Sequence, residues 1–304
     1  MKLVTYQTAK AARLGAVVDG RIVDLSPVLR ALNERTESAV PAPDPNAAAM
    51  IAFLAAGPTA LEAARTHLAE LRRNWRAEAY PAVESSILLA PVPRPGKVVA
   101  IGRNYADHAA ETGVKPFERP RIIAKLPSSV TGPGAVVTRP EGVTKLDYEI
   151  ELGVVIGKRA KLVQRALALE AVAGYTILND VSAREFQFDV SPAQTTFAKS
   201  MDGFCPMGPW LTTRDEVPDP HDLALKLWVN GELLQHGNTH DMIFDIPCLI
   251  EYISRFITLE PGDVIATGTP AGVGAFRTPP RWLQPGDRLR LEVSRIGVLE
   301  HSIG

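Results

Sequence analysis

One run constrains this chain more than any other: Asp147-Tyr148-Glu149-Ile150-Glu151-Leu152-Gly153-Val154-Val155-Ile156-Gly157. It reads as a β-strand that carries carboxylates into a protein interior. Side chains alternate faces along a strand, so Asp147, Glu149 and Glu151 are expected on one side and Tyr148, Ile150 and Leu152 on the other. The nearly all-apolar residues that follow suit a strand buried on both faces. Glutamates sharing a buried face repel one another and lose hydration, so they need protons, basic partners or a bound cation. A second apolar strand, Val172 to Leu178, leads into Asn179-Asp180. Three carboxylates from two strand regions, with no histidine or cysteine beside them, suit a hard divalent ion such as Mg²⁺ or Mn²⁺. The alternative is a solvated edge strand whose acids face water, with Asp180 capping a helix.

With 304 residues the chain is long enough for a large core and one to three domains. Formal net charge is −1, with acids and bases interspersed. No basic block or aromatic-basic stripe points to nucleic acid. Cys205 and Cys248 are the only two cysteines, which excludes a disulfide scaffold and a cysteine-rich zinc site. Sparse cysteine fits a reducing, cytoplasmic setting. The opening residues Met1 to Gln7 are too polar and short for a signal-peptide core, and no apolar run is long enough to cross a bilayer.

Strands are expected at Leu3–Thr8, Leu14–Val18 and Arg21–Leu25, the last two joined by an Asp19-Gly20 hairpin turn. Ser26-Pro27 starts a short helix, Ala47–Ala55 forms another, and Thr59–Ala77 a third, with Leu61, Ala64, Leu68, Leu71 and Trp75 at helical spacing. The proline-rich stretch from Ala90 to Gly96 is the expected boundary between an N-terminal α+β domain (1–90) and a larger domain (91–304). In the larger domain, strands are expected at Lys97–Ile101, Arg121–Lys125, Ala135–Thr138, Asp147–Gly157 and Val172–Leu178. Asn104 is read as the cap of a helix ending at Gly113, and Ser182 with Glu185 as a capping box. A hairpin turns at Asn230-Gly231, Asp245 caps a helix to about Arg255, and two Pro-Gly-Asp turns lead into strands. Without regular βαβ alternation, the expected class is α+β: a β-rich mixed sandwich or roll.

Helix 104–113 carries His108 and Glu111 on one face, three residues apart. Glu111 can fix the imidazole tautomer and leave His108 to abstract a proton; an ordinary exposed helix pair is the alternative. Lys199, in Phe197-Ala198-Lys199-Ser200-Met201-Asp202-Gly203, can set an ammonium near the carboxylates to stabilise a developing oxyanion. Arg184 and Gln187 can hold a substrate carboxylate. The glycine-rich loop Thr267-Gly268-Thr269-Pro270-Ala271-Gly272-Val273-Gly274 lacks the Gly-Lys-Ser/Thr of a phosphate-binding loop and the strand–GxGxxG–helix setting of a dinucleotide site. Its N–H groups can cradle an acid. His236, His240 and Asp241 read as a polar loop, not a metal site.

From Lys97 to Gly304 these segments, in this order, resemble the fumarylacetoacetate hydrolase family: Ile101-Gly102-Arg103-Asn104-Tyr105-Ala106-Asp107-His108, Asp147 through Gly153, Gly174-Tyr175 through Asn179-Asp180-Val181-Ser182-Ala183-Arg184, Ala198-Lys199 and Thr267 through Gly274. The resemblance implies a mixed β-sandwich roll, a homodimer, and Mg²⁺ or Mn²⁺ held by Glu149, Glu151 and Asp180. It also implies a lid carrying His108 and Glu111, with Lys199 inside the site. Arg184, Gln187, Thr269 and Lys125 are the expected substrate contacts. The extra acidic ligand of fumarylacetoacetate hydrolase itself has no clear match, so the carboxylate set resembles the acylpyruvase-like branch.

The implied chemistry runs through an enolate. A 2-oxo acid chelates one metal ion through its carboxylate and keto oxygen, and the ion stabilises the enolate formed when a bond at C3 breaks. Hydrolysis of a 2,4-dioxo acid, with water activated by His108 attacking C4, is the expected reaction. Oxaloacetate decarboxylation and tautomerisation or isomerisation of a 2-oxo acid use the same enolate. A metal-stabilised binding protein would not need His108, Glu111 and Lys199 together.

Overall fold

The strand expected from Asp147 to Gly157 forms as Ile150–Ile156, and every one of its side chains is buried. The structure, a computed structural model, describes residues 1–35 and 48–304. Ile150–Ile156 lies inside a long mixed sheet, flanked by Val172–Asn179 on one side and Val264–Ala266 on the other, both antiparallel to it. Beyond Val264–Ala266 come Val98–Gly102, parallel, and then Arg121–Lys125, antiparallel, at the sheet edge. In the other direction Val172–Asn179 pairs with Cys205–Thr213, which pairs with Lys2–Gln7. Ala12–Val18 and Arg21–Asp24 complete that end. The first strands of the chain therefore continue the sheet that carries the carboxylates.

A second sheet orders Glu232–Asn238, Ala224–Val229, Arg288–Val293, Gly297–Ile303 and Val136–Val137. Pleating divides the central strand between two cores. Leu152, Val154 and Ile156 pack with Leu225, Leu227, Leu289, Leu291 and Leu299 of the second sheet. Val155 faces the opposite core, with Met207 and Leu211, where Met50, Phe53, Ala60 and Ala64 of the helices Ala48–Ala55 and Gly57–Arg72 also pack. The fold is thus a mixed α+β sandwich with few helices. No helix among the described residues is long and apolar enough to cross a membrane.

The hairpin turns form as expected. Asp19 and Gly20 take φ of 48° and 72°, and Asn230 and Gly231 take 51° and 86°, the left-handed pairs a tight two-residue turn requires. Asp245 caps Ile246–Phe256 by accepting from Cys248 N at 2.9 Å.

Three local expectations fail, each for a tertiary reason. The third helix stops at Arg72 instead of Ala77: Arg73 and Asn74 donate to Glu70 and Leu71, tightening the last turn, and Trp75 leaves the helical stripe to stack on Tyr80 at 4.7 Å. Asn104 does not cap the next helix, which runs Ala106–Glu111. Its side chain is spent on the Phe244 backbone N–H and carbonyl and on the Thr267 carbonyl. Ser182 and Glu185 form no capping box: Ser182 donates to the Asp180 carbonyl, and Glu185 accepts from the backbone N–H groups of Thr144 and Lys145. The expected start at Ala47 lies outside the described residues.

Candidate active site

The central strand begins late because two side chains take over its first hydrogen bonds. Asn179 Oδ1 accepts from Glu149 N at 2.9 Å, and Gln235 Oε1 accepts from Ile150 N at 3.0 Å. The antiparallel neighbour ends at the same edge, where Asp180 N donates to the Glu149 carbonyl at 2.8 Å. Glu149, Glu151 and Asp180 are brought together there, buried, with one oxygen of each within 4.8 Å of the others. Asp147 goes elsewhere, contrary to simple alternation. Its carboxylate accepts from Tyr148, Gly274 and Ala275 N–H and from Arg184 Nε, anchoring the glycine-rich loop.

Cations neutralise two of the three clustered acids. Lys199 Nζ lies 2.7 Å from Glu149 Oε2, 2.6 Å from Asp180 Oδ2 and 2.9 Å from Ser182 Oγ. Arg184 bridges Asp147 and Glu149, at 2.8 and 2.6 Å. Burial disfavours the charged form of Glu149, but Lys199 and Arg184 outweigh it and hold this carboxyl far below the usual range. Burial likewise opposes the Lys199 ammonium, and Asp180 and Glu149 reverse that, raising its pKa. Glu151 differs. Among the described residues its hydrogen bond comes from Gly268 N, at 2.8 Å, and burial with the Asp180 and Glu149 charges pushes its pKa well above the carboxylate range.

The short helix Ala106–Glu111 closes over this cluster. His108 Nδ1 sits 3.0 Å from Glu111 Oε2, and the imidazole, only 5% exposed, lines the cavity. The helix is held to the glycine-rich loop by its own acids: Glu111 Oε1 accepts from Gly272 N at 2.9 Å and Asp107 Oδ2 from Ala271 N at 3.2 Å. Gly272 has φ 103°, and a Cβ there would lie 2.2 Å from the Leu234 carbonyl oxygen, so the loop can approach this closely only with glycine.

These groups line a cavity of about 220 Å³. The walls include Glu149, Glu151, Asp180, His108, Lys199, Arg184, Gln187 and Thr269 from the sequence reading. Glu111 stands behind His108 and does not line it. Lys125 does not line it either: its ammonium lies behind Asp180, 2.7 Å from Oδ1, with the carbonyls of Lys199 and Phe204 as its other acceptors. Thr269 Oγ1 accepts from Gln235 Nε2, and Gln187 Oε1 from Arg184, while Gln187 Nε2 is buried without a partner. Sequence reasoning missed Arg103 and Arg121, Phe188 and Phe276 in the walls, and the supporting side chains of Asn179, Ser182 and Gln235. Arg103 lies in the segment 101–108, beside the more conspicuous His108. Arg121 enters through sheet pairing, opposite Gly102.

The cluster fits a divalent cation. Three buried carboxylates offer hard oxygen donors, and Glu151 in particular is an acid with no basic partner in contact among the described residues. Binding an ion there requires the ionised form that burial and neighbouring charges disfavour. Mn²⁺ affinity should therefore rise with pH, with protons released on binding. Calorimetry in two buffers of different protonation enthalpy reads that release directly; an affinity independent of pH would contradict the raised Glu151.

Comparison with known proteins agrees with this geometry. Residues 97–304 match the family model described as "Fumarylacetoacetate (FAA) hydrolase C-terminal". The chain is 43% identical over 254 residues to the mitochondrial oxaloacetate tautomerase FAHD2A of Homo sapiens, covering 84% of this chain and 79% of that protein. Among solved structures, a fumarylacetoacetate hydrolase from Exiguobacterium antarcticum superposes with a TM-score of 0.79 at 34% identity, over 100% of this chain and 99% of that one. Maleylpyruvate hydrolase from Sphingobium sp. SYK-6, in complex with manganese(II) and pyruvate, gives 0.78 at 32% identity, over 100% and 98%.

Proposed function

Because this chain belongs to the fumarylacetoacetate hydrolase family, we propose that it is an enzyme moving a proton at C3 of a small 2-oxo acid, interconverting the keto and enol forms of an oxaloacetate-like substrate. The observation that carries the reading is the His108–Glu111 pair set against Lys199 and the three acids in one cavity of about 220 Å³. That volume suits a substrate of only a few carbons. The similarity to mitochondrial oxaloacetate tautomerases supports tautomerisation.

A divalent ion, Mg²⁺ or Mn²⁺, held by Glu149, Glu151 and Asp180 would supply Lewis-acid polarisation of the 2-keto group. The chain's own residues do the rest. Glu111 binds His108 at Nδ1, which leaves Nε2 for the substrate. From the enol, the O2 proton leaves to solvent and its electron pair stays on oxygen. As that pair forms the C2=O π bond, the C2=C3 electron pair takes a proton from imidazolium Nε2, making the new C3–H bond and leaving a neutral imidazole. In reverse, neutral Nε2 removes that proton. The Lys199 ammonium offsets negative charge as it grows on oxygen. Gln187 Nε2, lacking a partner, is a ready donor to the substrate's carboxylate.

Hydrolysis of a 2,4-dioxo acid is the second reading, favoured by the same histidine–glutamate pair acting on water and by the maleylpyruvate hydrolase neighbour. Decay of the enol absorbance of oxaloacetate, with Mn²⁺ present, separates the two. Enzyme should speed ketonisation above the buffer rate and leave an acylpyruvate intact. Cleavage of the acylpyruvate with no effect on the oxaloacetate enol would replace the first reading by the second.

A further inference from the structure

We propose that Arg103 and Arg121 form a second anion subsite at the cavity wall, one that takes the distal carboxylate of the substrate and selects 2-oxo dicarboxylic acids over monoacids. This rests on the proposed 2-oxo acid chemistry and goes beyond it by assigning the far end of the ligand to two residues outside the carboxylate cluster.

Both side chains line the cavity that holds Glu149, Glu151 and Asp180. Strand pairing puts them side by side: Gly102 lies opposite Arg121 across the edge of the sheet, and Arg103 follows Gly102. The missing side chain at Gly102 makes room, since a Cβ there would sit 3.3 Å from Arg121 Cδ and 3.7 Å from its Cγ. Arg121 thus lies across Gly102 toward its neighbour. Arg103 has φ 56°, a backbone conformation that a non-glycine residue rarely adopts. Its guanidinium rests 5.7 Å over the Phe117 ring.

Neither guanidinium has a hydrogen bond or an ion pair among the described residues. The contrast with the other cations of the site is plain. Lys199, Arg184 and Lys125 are each committed to two or more acceptors. Burial and the repulsion of Arg121 and Arg184 make the Arg103 charge unfavourable, as an unfilled anion site would. Two unpaired forks beside a chelating centre match a ligand with a carboxylate at each end. One end would meet Gln187 beside the ion that the three acids would hold, and the other the arginines.

Calorimetry with Mn²⁺ present tests the pairing with three ligands. Oxalate carries only the chelating end. 3-Sulfopyruvate carries a distal anion and does not lose carbon dioxide. 2-Oxobutyrate has a neutral methyl group in place of the sulfonate. Arg121→Gln and Arg103→Gln should each weaken 3-sulfopyruvate about tenfold or more, the scale of one lost charge-assisted contact. Oxalate and 2-oxobutyrate should bind as to the unaltered protein, and Arg121→Lys should restore part of the loss. If oxalate binds but the preference for 3-sulfopyruvate over 2-oxobutyrate is absent or survives both substitutions, the arginine subsite is wrong and the 2-oxo acid reading stands. If oxalate fails to bind the unaltered protein, the reading falls and the subsite falls with it.

Discussion

Glu151→Gln should leave the protein folded, raise the melting temperature of its metal-free form, and cost roughly 10²-fold or more in Mn²⁺ affinity. The opposite signs have one cause. Glu151 is buried beside Asp180 and Glu149, and among the described residues its hydrogen bond comes from Gly268 N. Its pKa in the folded chain is raised, so its contribution to stability is full below the ordinary carboxylate range and is lost as pH rises through the folded value. Above the ordinary carboxylate range this acid is therefore a burden on the metal-free fold. Glutamine keeps the shape and an acceptor for Gly268 N while removing that burden. The same change takes away the oxygen donor least committed to other partners. Loss of a mere supporting group costs a metal site 10- to 100-fold; a direct ligand should cost more. Differential scanning calorimetry without metal and a Mn²⁺ titration measure both halves. A variant that melts lower and binds Mn²⁺ as before would show Glu151 to be a structural acid.

Much of this site can be read from the chain because its parts are local. Alternation along Ile150–Ile156 sets the pleat, and an acid where an apolar side chain belongs stands out against it. The His108–Glu111 spacing is a single helical turn, and the turns at Asp19-Gly20 and Asn230-Gly231 need only their own backbone preferences. What escapes is decided by residues far apart in sequence. Asp147 falls outside the central strand because Asn179 and Gln235 take the N–H groups of Glu149 and Ile150, while its own carboxylate finds Gly274, Ala275 and Arg184. Lys125, expected at the substrate, is drawn behind Asp180 by two backbone carbonyls that no local pattern announces. Asn104 looks like a helix cap by type, yet Phe244 and Thr267 claim it. Arg121 reaches the cavity through sheet register alone.

His108→Ala should lower turnover of oxaloacetate by roughly 10²–10⁴-fold, the range for removing a general acid–base group, with Mn²⁺ affinity unchanged. The imidazole touches none of the three acids by a hydrogen bond, and Glu111 keeps its tie to Gly272 N when the ring is gone. The loss should therefore fall on the chemical step while the helix stays in place. Glu111→Gln should act in the same direction and more weakly, since it alters only the orientation and charge of the ring's support. Equal losses in metal affinity and turnover would mean that His108 supports the cluster and does not move the proton.

The proposed reaction depends on the cavity making and unmaking an enolate at C3. Solvent deuterium exchange reads that step without depending on which product follows. Pyruvate in D₂O with Mn²⁺ and the protein, observed by proton NMR, should lose its methyl signal faster than in a protein-free control. The acceleration should vanish with Glu151→Gln and fall with His108→Ala. A methyl signal that persists at the control rate, while oxalate binding shows the site to be loaded, would contradict enolate chemistry in this cavity.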